Sequence, residues 1–367
     1  MNFSVCCAAH DGLALGRLDY ASLSQQALME TFVSSFETTA EFIDPHGNFR
    51  ELQRWAGVTC VAGRVLSIDW TARSLGGTID FQWLPESVQK LRCSHCGFQG
   101  TLCTAVLPRG LQVLGLSGNS LSGSVDLAGL PSSMVRLLLA TNQFSGSIDM
   151  KSLPSGIDCI IFSGNQFAGA MDLTRFPDSV RTVLWQENSH SGSIDLGELP
   201  PALEYLHVNT NKLSGAIDLT SLPQSIVDMR LHTNAFCGTV DFSALPASLH
   251  TLFLHANRFE GNLCLRHLPD SLKFIQLQEN RFSGPIRLDS LPQSLISLNL
   301  SGNQISGPIR LTELPGGLKG LSLRNNRIRQ DVVHVRRGCA EIDLRGNSIG
   351  GLFHATGRPA KHQKLLY

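Results

Sequence analysis

The sequence predicts an α/β solenoid, a right-handed superhelix of about thirteen 23-residue repeats with a parallel β-sheet on its concave face. Three observations predict it. Prolines fall at Pro85, Pro108, Pro131, Pro154, Pro177, Pro200, Pro223, Pro246, Pro269, Pro292 and Pro315, every interval being 23 residues. A fixed period of that size marks stacked supersecondary units. Aligned on this proline, the units share the pattern LPxSLxxLxLxxNxFSGxIDLxx, with a clear copy from Leu291 to Glu313. An asparagine column and a glycine column accompany the pattern.

Within the unit, LxxLxL alternates with period two, as a short strand does. In the clear copy Leu295, Leu298, Leu300, Ile305, Ile309 and Leu311 face inward. One repeat cannot bury that set alone, so each depends on its neighbours. The proline and the glycine break the chain and turn it back. Gly123, Gly146, Gly169, Gly192, Gly215, Gly238, Gly261, Gly284 and Gly307 form the glycine column, serving a turn that a side chain would obstruct. The asparagine column runs from Asn119 to Asn347. An inward amide donates and accepts, so it satisfies backbone groups where the strand ends.

The pattern extends past the prolines. Val65, Ile68, Trp70, Leu75, Gly77 and Ile79 fit an earlier unit. Cys339, Ile342, Leu344, Asn347 and Ile349 fit a last one, two residues out of phase. The expected organisation is an N-terminal tail (1–21), a helical cap (22–61), the solenoid (62–349) and a basic C-terminal tail (350–367). At one strand spacing per unit the stack is roughly 60 Å long.

A solenoid needs caps because its terminal faces are apolar. Leu28, Phe32, Phe36 and Ile43 recur at helical spacing, with Ser22 or Ser24 as the N-cap. The segment RWAGVTCVAGRVLSIDW follows, from Arg54 to Trp70.

Composition narrows the function. The 367 residues are 42% hydrophobic and 16% charged, an ordered chain. Lys+Arg and Asp+Glu are both 30, which gives no argument for nucleic acid. From Leu311 to Tyr367 there are ten Lys/Arg against four Asp/Glu, read as a solvated basic end. No apolar run spans a bilayer, and the N-terminus makes a poor secretory signal. Cys6 and Cys7 are candidates for acylation, but Asn2 replaces the glycine that myristoylation needs. Ten cysteines scattered without a paired framework suit a reducing compartment.

The chain resembles the plant-type leucine-rich repeats, whose units read LxxLxLxxNxLSGxI. Their N-terminal cap has a helix, a Trp-x-Gly-Val-x-Cys element and Gly-Arg-Val entering the first repeat. Trp55, Gly57, Val58, Cys60, Gly63, Arg64 and Val65 match that element. The LPxSL in every unit also resembles repeat proteins of kinetoplastid-like protists. The resemblance covers about residues 24–349 and implies the fold rather than the ligand. The family cap has a cysteine before the tryptophan; Arg54 stands there. The cap disulfide is therefore expected to be absent, and a cytoplasmic location follows.

Three sets of residues invite chemistry. Cys93, Cys96 and Cys103 have zinc-like spacing, but Cys93 sits in a leucine column and Cys96 in the asparagine column, and no second ligand pair exists. Asp80, Asp126, Asp149, Asp172, Asp195, Asp218 and Asp241 form a column that could hold calcium. It fades into Cys264, Arg287 and Arg310, so local turn bonding is preferred. His232 and His255 share a column in adjacent repeats, with His207 nearby, and read better as contact residues than as a metal pair.

The expected function is a non-catalytic protein-binding module, needing no cofactor and no metal. It would act as a monomer on a protein or peptide partner, with no nucleic acid and no membrane span. Strand residues between inward leucines must point to the concave side. There Leu138, Ile161 and Leu184 form an exposed apolar strip, beside Tyr205, His207, Arg230, His232, Phe253, His255, Phe274 and Gln276. Exposed aromatic residues on such a sheet mark contact with a partner. The alternative is an ectodomain-like receptor fragment that recognises an extracellular peptide or glycan.

Overall fold

The computed structural model describes residues 22–335, 341–354 and 365–366. The chain forms two compact units, Met1–Gln166 and Phe167–Tyr367. Each is built from stacked repeats whose LxxLxL segments become three-residue strands of a parallel sheet.

The first unit opens with the cap. A helix, Gln25–Val33, is N-capped by Ser24, whose Oγ accepts from Ala27 N at 3.1 Å. It ends earlier than the apolar spacing through Ile43 implies. The Ser34 and Ser35 hydroxyls bond back to the Thr31 and Phe32 carbonyls, an alternative to continuing the helix. Phe36 leaves the helix and bridges Gly77. Phe42, not Ile43, is the buried residue of the following turn, with its ring 4.6 Å from Trp55 and 5.0 Å from Trp70. At Gly77, φ is 82° and an added Cβ would run into the Ser35 carbonyl, so only glycine lets the cap sit this close.

Two antiparallel strands, Val58–Val61 and Arg64–Asp69, lead into the sheet. Lys90–Arg92, Val113–Gly115, Arg136–Leu138 and Cys159–Ile161 then add in parallel. In the second unit the sheet runs from Thr182–Leu184 through Tyr205–His207, Asp228–Arg230, Thr251–Phe253, Phe274–Gln276, Ser297–Asn299 and Gly320–Ser322 to Glu341–Asp343. Thirteen strands therefore carry the repeat motif among the described residues, bounding about 12 turns. Each register advances by one period, Leu206 lying opposite Met229, until Leu321 lies opposite Ile342. That last step is the phase slip visible in the sequence.

The FSG segments form a second set of parallel strands, such as Lys212–Gly215 beside Ala235–Gly238. Among the described residues the one α-helix is in the cap. The repeats from Phe81 to Arg175 turn through short 3-10 segments such as Leu127–Gly129 instead, and the later ones through plain turns. Regular structure continues past Ile349, because Arg329–Val335 pairs in parallel with Ser348–His354, and Leu365–Leu366 pairs beside Glu341–Asp343.

The core is a stack of identical columns. Leu206, Met229, Leu252 and Ile275 are fully buried, and the rings of Phe236, Phe259 and Phe282 stack at 6.2 and 6.3 Å. Each asparagine ties its repeat to the one before. Asn257 Nδ2 donates to the carbonyls of Leu231 and Leu254 at 3.1 Å and of His255 at 3.2 Å, while its Oδ1 accepts from Phe236 N at 3.0 Å. Cys96 takes this place in its own repeat, its thiol donating to the Trp70 carbonyl at 3.1 Å. The residue before each asparagine is left-handed, as at Thr141 (φ 54°), Thr233 (56°) and Glu279 (57°). Such a residue costs roughly 1–2 kcal/mol, and the asparagine bonds that follow it offset this.

The aspartate column closes turns. Asp126 Oδ1 accepts from Ala128 N at 2.9 Å and Asp218 Oδ1 from Thr220 N at 2.8 Å. The neighbouring N–H groups thus occupy these carboxylates, the local role favoured over calcium.

Candidate interaction face

The sheet register decides which side chains become neighbours. Along each strand the middle residue points into the core and its two neighbours point out. In the first unit Leu138 and Ile161 lie in register on the outward face. In the second unit Leu184 lies beside His207, followed by Arg230, Phe253 and Gln276. A flanking column carries Tyr205, Asp228, Thr251 and Phe274. His232 and His255 follow just beyond the last inward leucine of their repeats.

Exposure differs from the sequence expectation. Leu138, Ile161 and Leu184 are half-buried rather than exposed. Strands about 4.8 Å apart bring outward neighbours into contact within each unit, Leu138 beside Ile161 in the first and Leu184 beside His207 in the second, so each is partly covered. Tyr205 and Phe274 are the open aromatic residues, at 37% and 36% exposure.

Asp228 organises the group, and the sequence set omitted it. Its carboxylate accepts from Arg230 Nε at 2.9 Å and Nη2 at 2.7 Å, and His207 Nε2 lies 3.2 Å away, off line for a hydrogen bond. Burial pushes the Asp228 carboxyl up, but His207 and Arg230 more than reverse this and hold it below the usual value. The available signal was its place two residues before Arg230 on one strand, which puts both on the same face. The Arg230 guanidinium, thus fixed, lies 5.3 Å over the Phe253 ring, a cation–π geometry.

His232 and His255 stack nearly parallel, their ring centroids 4.1 Å apart. Burial first, then the neighbouring His255, Arg230 and His207, push His232 down to about 4. Burial also lowers His255, against the opposing charge of Glu279. Both rings are therefore neutral near pH 7 and offer flat faces and ring nitrogens. Among the described residues, no group of three or more His, Cys, Asp or Glu is placed to hold a metal ion.

Other sequence candidates fall into the frame. Cys93 is fully buried in its leucine column, and burial pushes its thiol well above the ordinary value. Cys60, Cys93, Cys96, Cys103, Cys159, Cys237 and Cys264 are unpaired. Cys6, Cys7 and Cys339 lie outside the described residues. No helix among the described residues is long and apolar enough to cross a membrane.

Stacked LxxLxLxxN units with an asparagine ladder and an outward strand face define a leucine-rich-repeat solenoid. The comparisons with known proteins agree with that fold. The FNIP repeat family matches residues 262–303 and the leucine-rich repeat family matches residues 294–314. No curated protein matches the chain. Among solved structures it is similar to a plant ice-binding protein, at TM-score 0.59 and 21% identity over 72% of this chain and 88% of that one. It is similar to YopM from Yersinia enterocolitica WA-314, at TM-score 0.52 and 22% identity over 78% of this chain and 63% of that one. It is also similar to the Arabidopsis receptor kinase HAESA in complex with the peptide hormone IDA and the co-receptor SERK1. That likeness has TM-score 0.52 and 21% identity over 89% of this chain and 70% of that one. The chain spans less than two thirds of YopM. At these identities the likeness is one of fold.

Proposed function

We propose that this chain is a non-catalytic binding module that takes a protein or peptide partner on the outward strand face of its second unit. Tyr205, His207, Arg230, His232, Phe253, His255, Phe274 and Gln276 would make the contacts, with Leu184 at the edge. Leu138 and Ile161 would serve the same role in the first unit. The carrying observation is the Asp228–Arg230–Phe253 arrangement. An ion pair fixes a guanidinium over a ring on an open face, so that a partner meets ordered side chains. Pre-organised side chains lose less entropy on binding, and Tyr and Arg are frequent hot spots.

The second reading is an ectodomain-like receptor fragment for an extracellular peptide or glycan, which the likeness to HAESA favours. The cap distinguishes the two. A plant-type cap without its disulfide, Arg54 standing where the partner of Cys60 would be, supports a reducing, cytoplasmic setting. Thiol counting on denatured native protein tests this; two or more stable disulfides would sink the cytoplasmic assignment.

The test of the face is Tyr205, Arg230 and Phe253 replaced together by alanine. Capture by the immobilised full chain, with bound proteins identified against wild type, should weaken at least tenfold, about 1.4 kcal/mol. The thermal midpoint should stay nearly unchanged. Undiminished capture would place the contact surface elsewhere.

A further inference from the structure

The carboxylate column changes sign within the second unit. Asp195, Asp218 and Asp241 hold it in three successive repeats, Cys264 follows, and then Arg287 and Arg310 stand in the same place. The parallel bridge between Leu311 and Val335 sets His334 beside Arg310, so the row ends on an imidazole. Like charges side by side on neighbouring strands oppose each other. Arg287 has local relief, its Nη2 lying 2.7 Å from Asp289 Oδ2. Arg310 makes no ion pair or hydrogen bond among the described residues.

Arg310 also stands between two hollows. One of about 220 Å³ separates it from Arg287 and is lined by Ile286, Leu288, Asp289 and Pro308. The other, of about 430 Å³, is lined by Ile309, Arg310, Thr312, Gln330 and His334. Gln330 fixes the wall of the larger one. Its Oε1 accepts from Ile309 N at 2.8 Å, and its Nε2 donates to the Val332 carbonyl at 2.7 Å. Two hydrogen bonds leave that side chain little freedom to collapse into the space. The larger hollow thus combines a guanidinium without an ion pair among the described residues, an imidazole and a hydroxyl.

We propose that this hollow binds an oxyanion of the phosphate or sulfate class, held by Arg310 with His334 and Thr312. A guanidinium presents paired N–H donors that match two oxygens of such a group. The anion gives Arg310 the counter-charge that Asp289 gives Arg287. The site lies on different residues from the proposed partner face and stands or falls independently of it.

The experiment is calorimetric titration of the full chain with inorganic phosphate at constant ionic strength, with sulfate and acetate as parallel arms. Wild type should bind phosphate or sulfate saturably and acetate at least tenfold more weakly. Arg310→Gln should weaken phosphate binding at least tenfold, and Arg310→Asp, which restores the residue of the earlier repeats, should abolish it. Arg281→Gln, an exposed arginine outside the hollow, should bind as wild type does. Circular dichroism on the variants checks the fold, which an exposed substitution leaves intact. The proposal is overturned by an absence of saturable phosphate and sulfate binding, by equal affinity for acetate, or by unchanged binding in folded Arg310→Gln.

Discussion

The asparagine row and the outward strip of the second unit belong to the same repeats, yet they treat polar groups in opposite ways. Along the row, each amide is saturated by backbone. Asn257 uses both donor hydrogens and its carbonyl on four main-chain groups, and nothing remains for a ligand. Along the strip, side chains engage one another. Asp228 holds Arg230, Arg230 covers Phe253, and His232 lies against His255. The backbone beneath is already satisfied by the sheet, so these residues can change without unfolding the repeat. The row therefore carries stability and the strip is free to carry recognition.

That contrast can be broken by measurement, beginning with the row. Asn257→Ala removes the partner of the Phe236 N–H and a donor to the Leu231 and Leu254 carbonyls in a buried place. Each such group costs about 1–3 kcal/mol, so denaturant unfolding should show a loss of at least about 3 kcal/mol. A loss under about 1 kcal/mol would mean that water replaces the amide and the row is not the frame. Leu206→Ala should cost about 2–5 kcal/mol, as buried leucine truncations do. A change under roughly 0.5 kcal/mol, typical of surface substitutions, would show the inward register to be wrong.

His190 sharpens the comparison, being a titratable side chain in the core rather than on the strip. It occupies the column of Leu213 and Phe236, fully buried, with its ring 5.6 Å from Trp185. Nδ1 lies 3.4 Å from the Gly169 carbonyl, and Nε2 has no hydrogen-bond partner among the described residues. Burial lowers its pKa from the ordinary 6.5. With the folded value below the unfolded one, protonation favours unfolding. The contribution is neutral well above 6.5, and stability falls as pH drops from there toward the folded value. The melting temperature of wild type should fall between about pH 7 and about pH 5 by more than that of His190→Phe. Equal falls in the two proteins would assign the acid sensitivity to other groups.

The smallest effect belongs to the strip. Asp228→Asn removes the ion pair but leaves the packing. Because the Arg230 side chain is 38% exposed, solvent screens the pair and the stability loss should stay below about 1 kcal/mol. A larger loss in chemical denaturation would make the strip part of the frame and erase the contrast.

Much of the frame was readable because the period locks it. Once Pro85 to Pro315 align, the leucine, asparagine and glycine columns follow, and so does the phase slip before Ile342. The left-handed column before each asparagine was missed, although Gly118, Gly164, Gly302 and Gly346 stand in it. Threonine, glutamate and alanine at most of the other positions hid that signal, since none of them favours the conformation. The cap helix ran long on paper because Phe36 keeps helical spacing with Phe32 but is buried by a different route, against Phe98 at 4.7 Å. On the candidate face, period two identified which residues point outward. It could not show that Asp228 holds Arg230 and lies against His207, because that depends on how side chains on neighbouring strands converge. Nor could it show that Leu138, Ile161 and Leu184 are half-buried.

The reach of the asparagine bonds sets a rule about chain length. Asn257 accepts from Phe236, 21 residues back, and donates to Leu231, 26 residues back. These spans act as a ruler. A single residue inserted between them would aim the amide at the wrong groups, and the next repeat, which takes its register from this one, would inherit the error. Deleting one whole unit, residues 246–268, would instead bring Asn280 to the place of Asn257, over the same Leu231 and Phe236. Up to Asn326 the module is therefore quantised in steps of 23 residues, the last step to Asn347 alone being two residues shorter, and adding or removing a repeat moves a full set of surface columns at once.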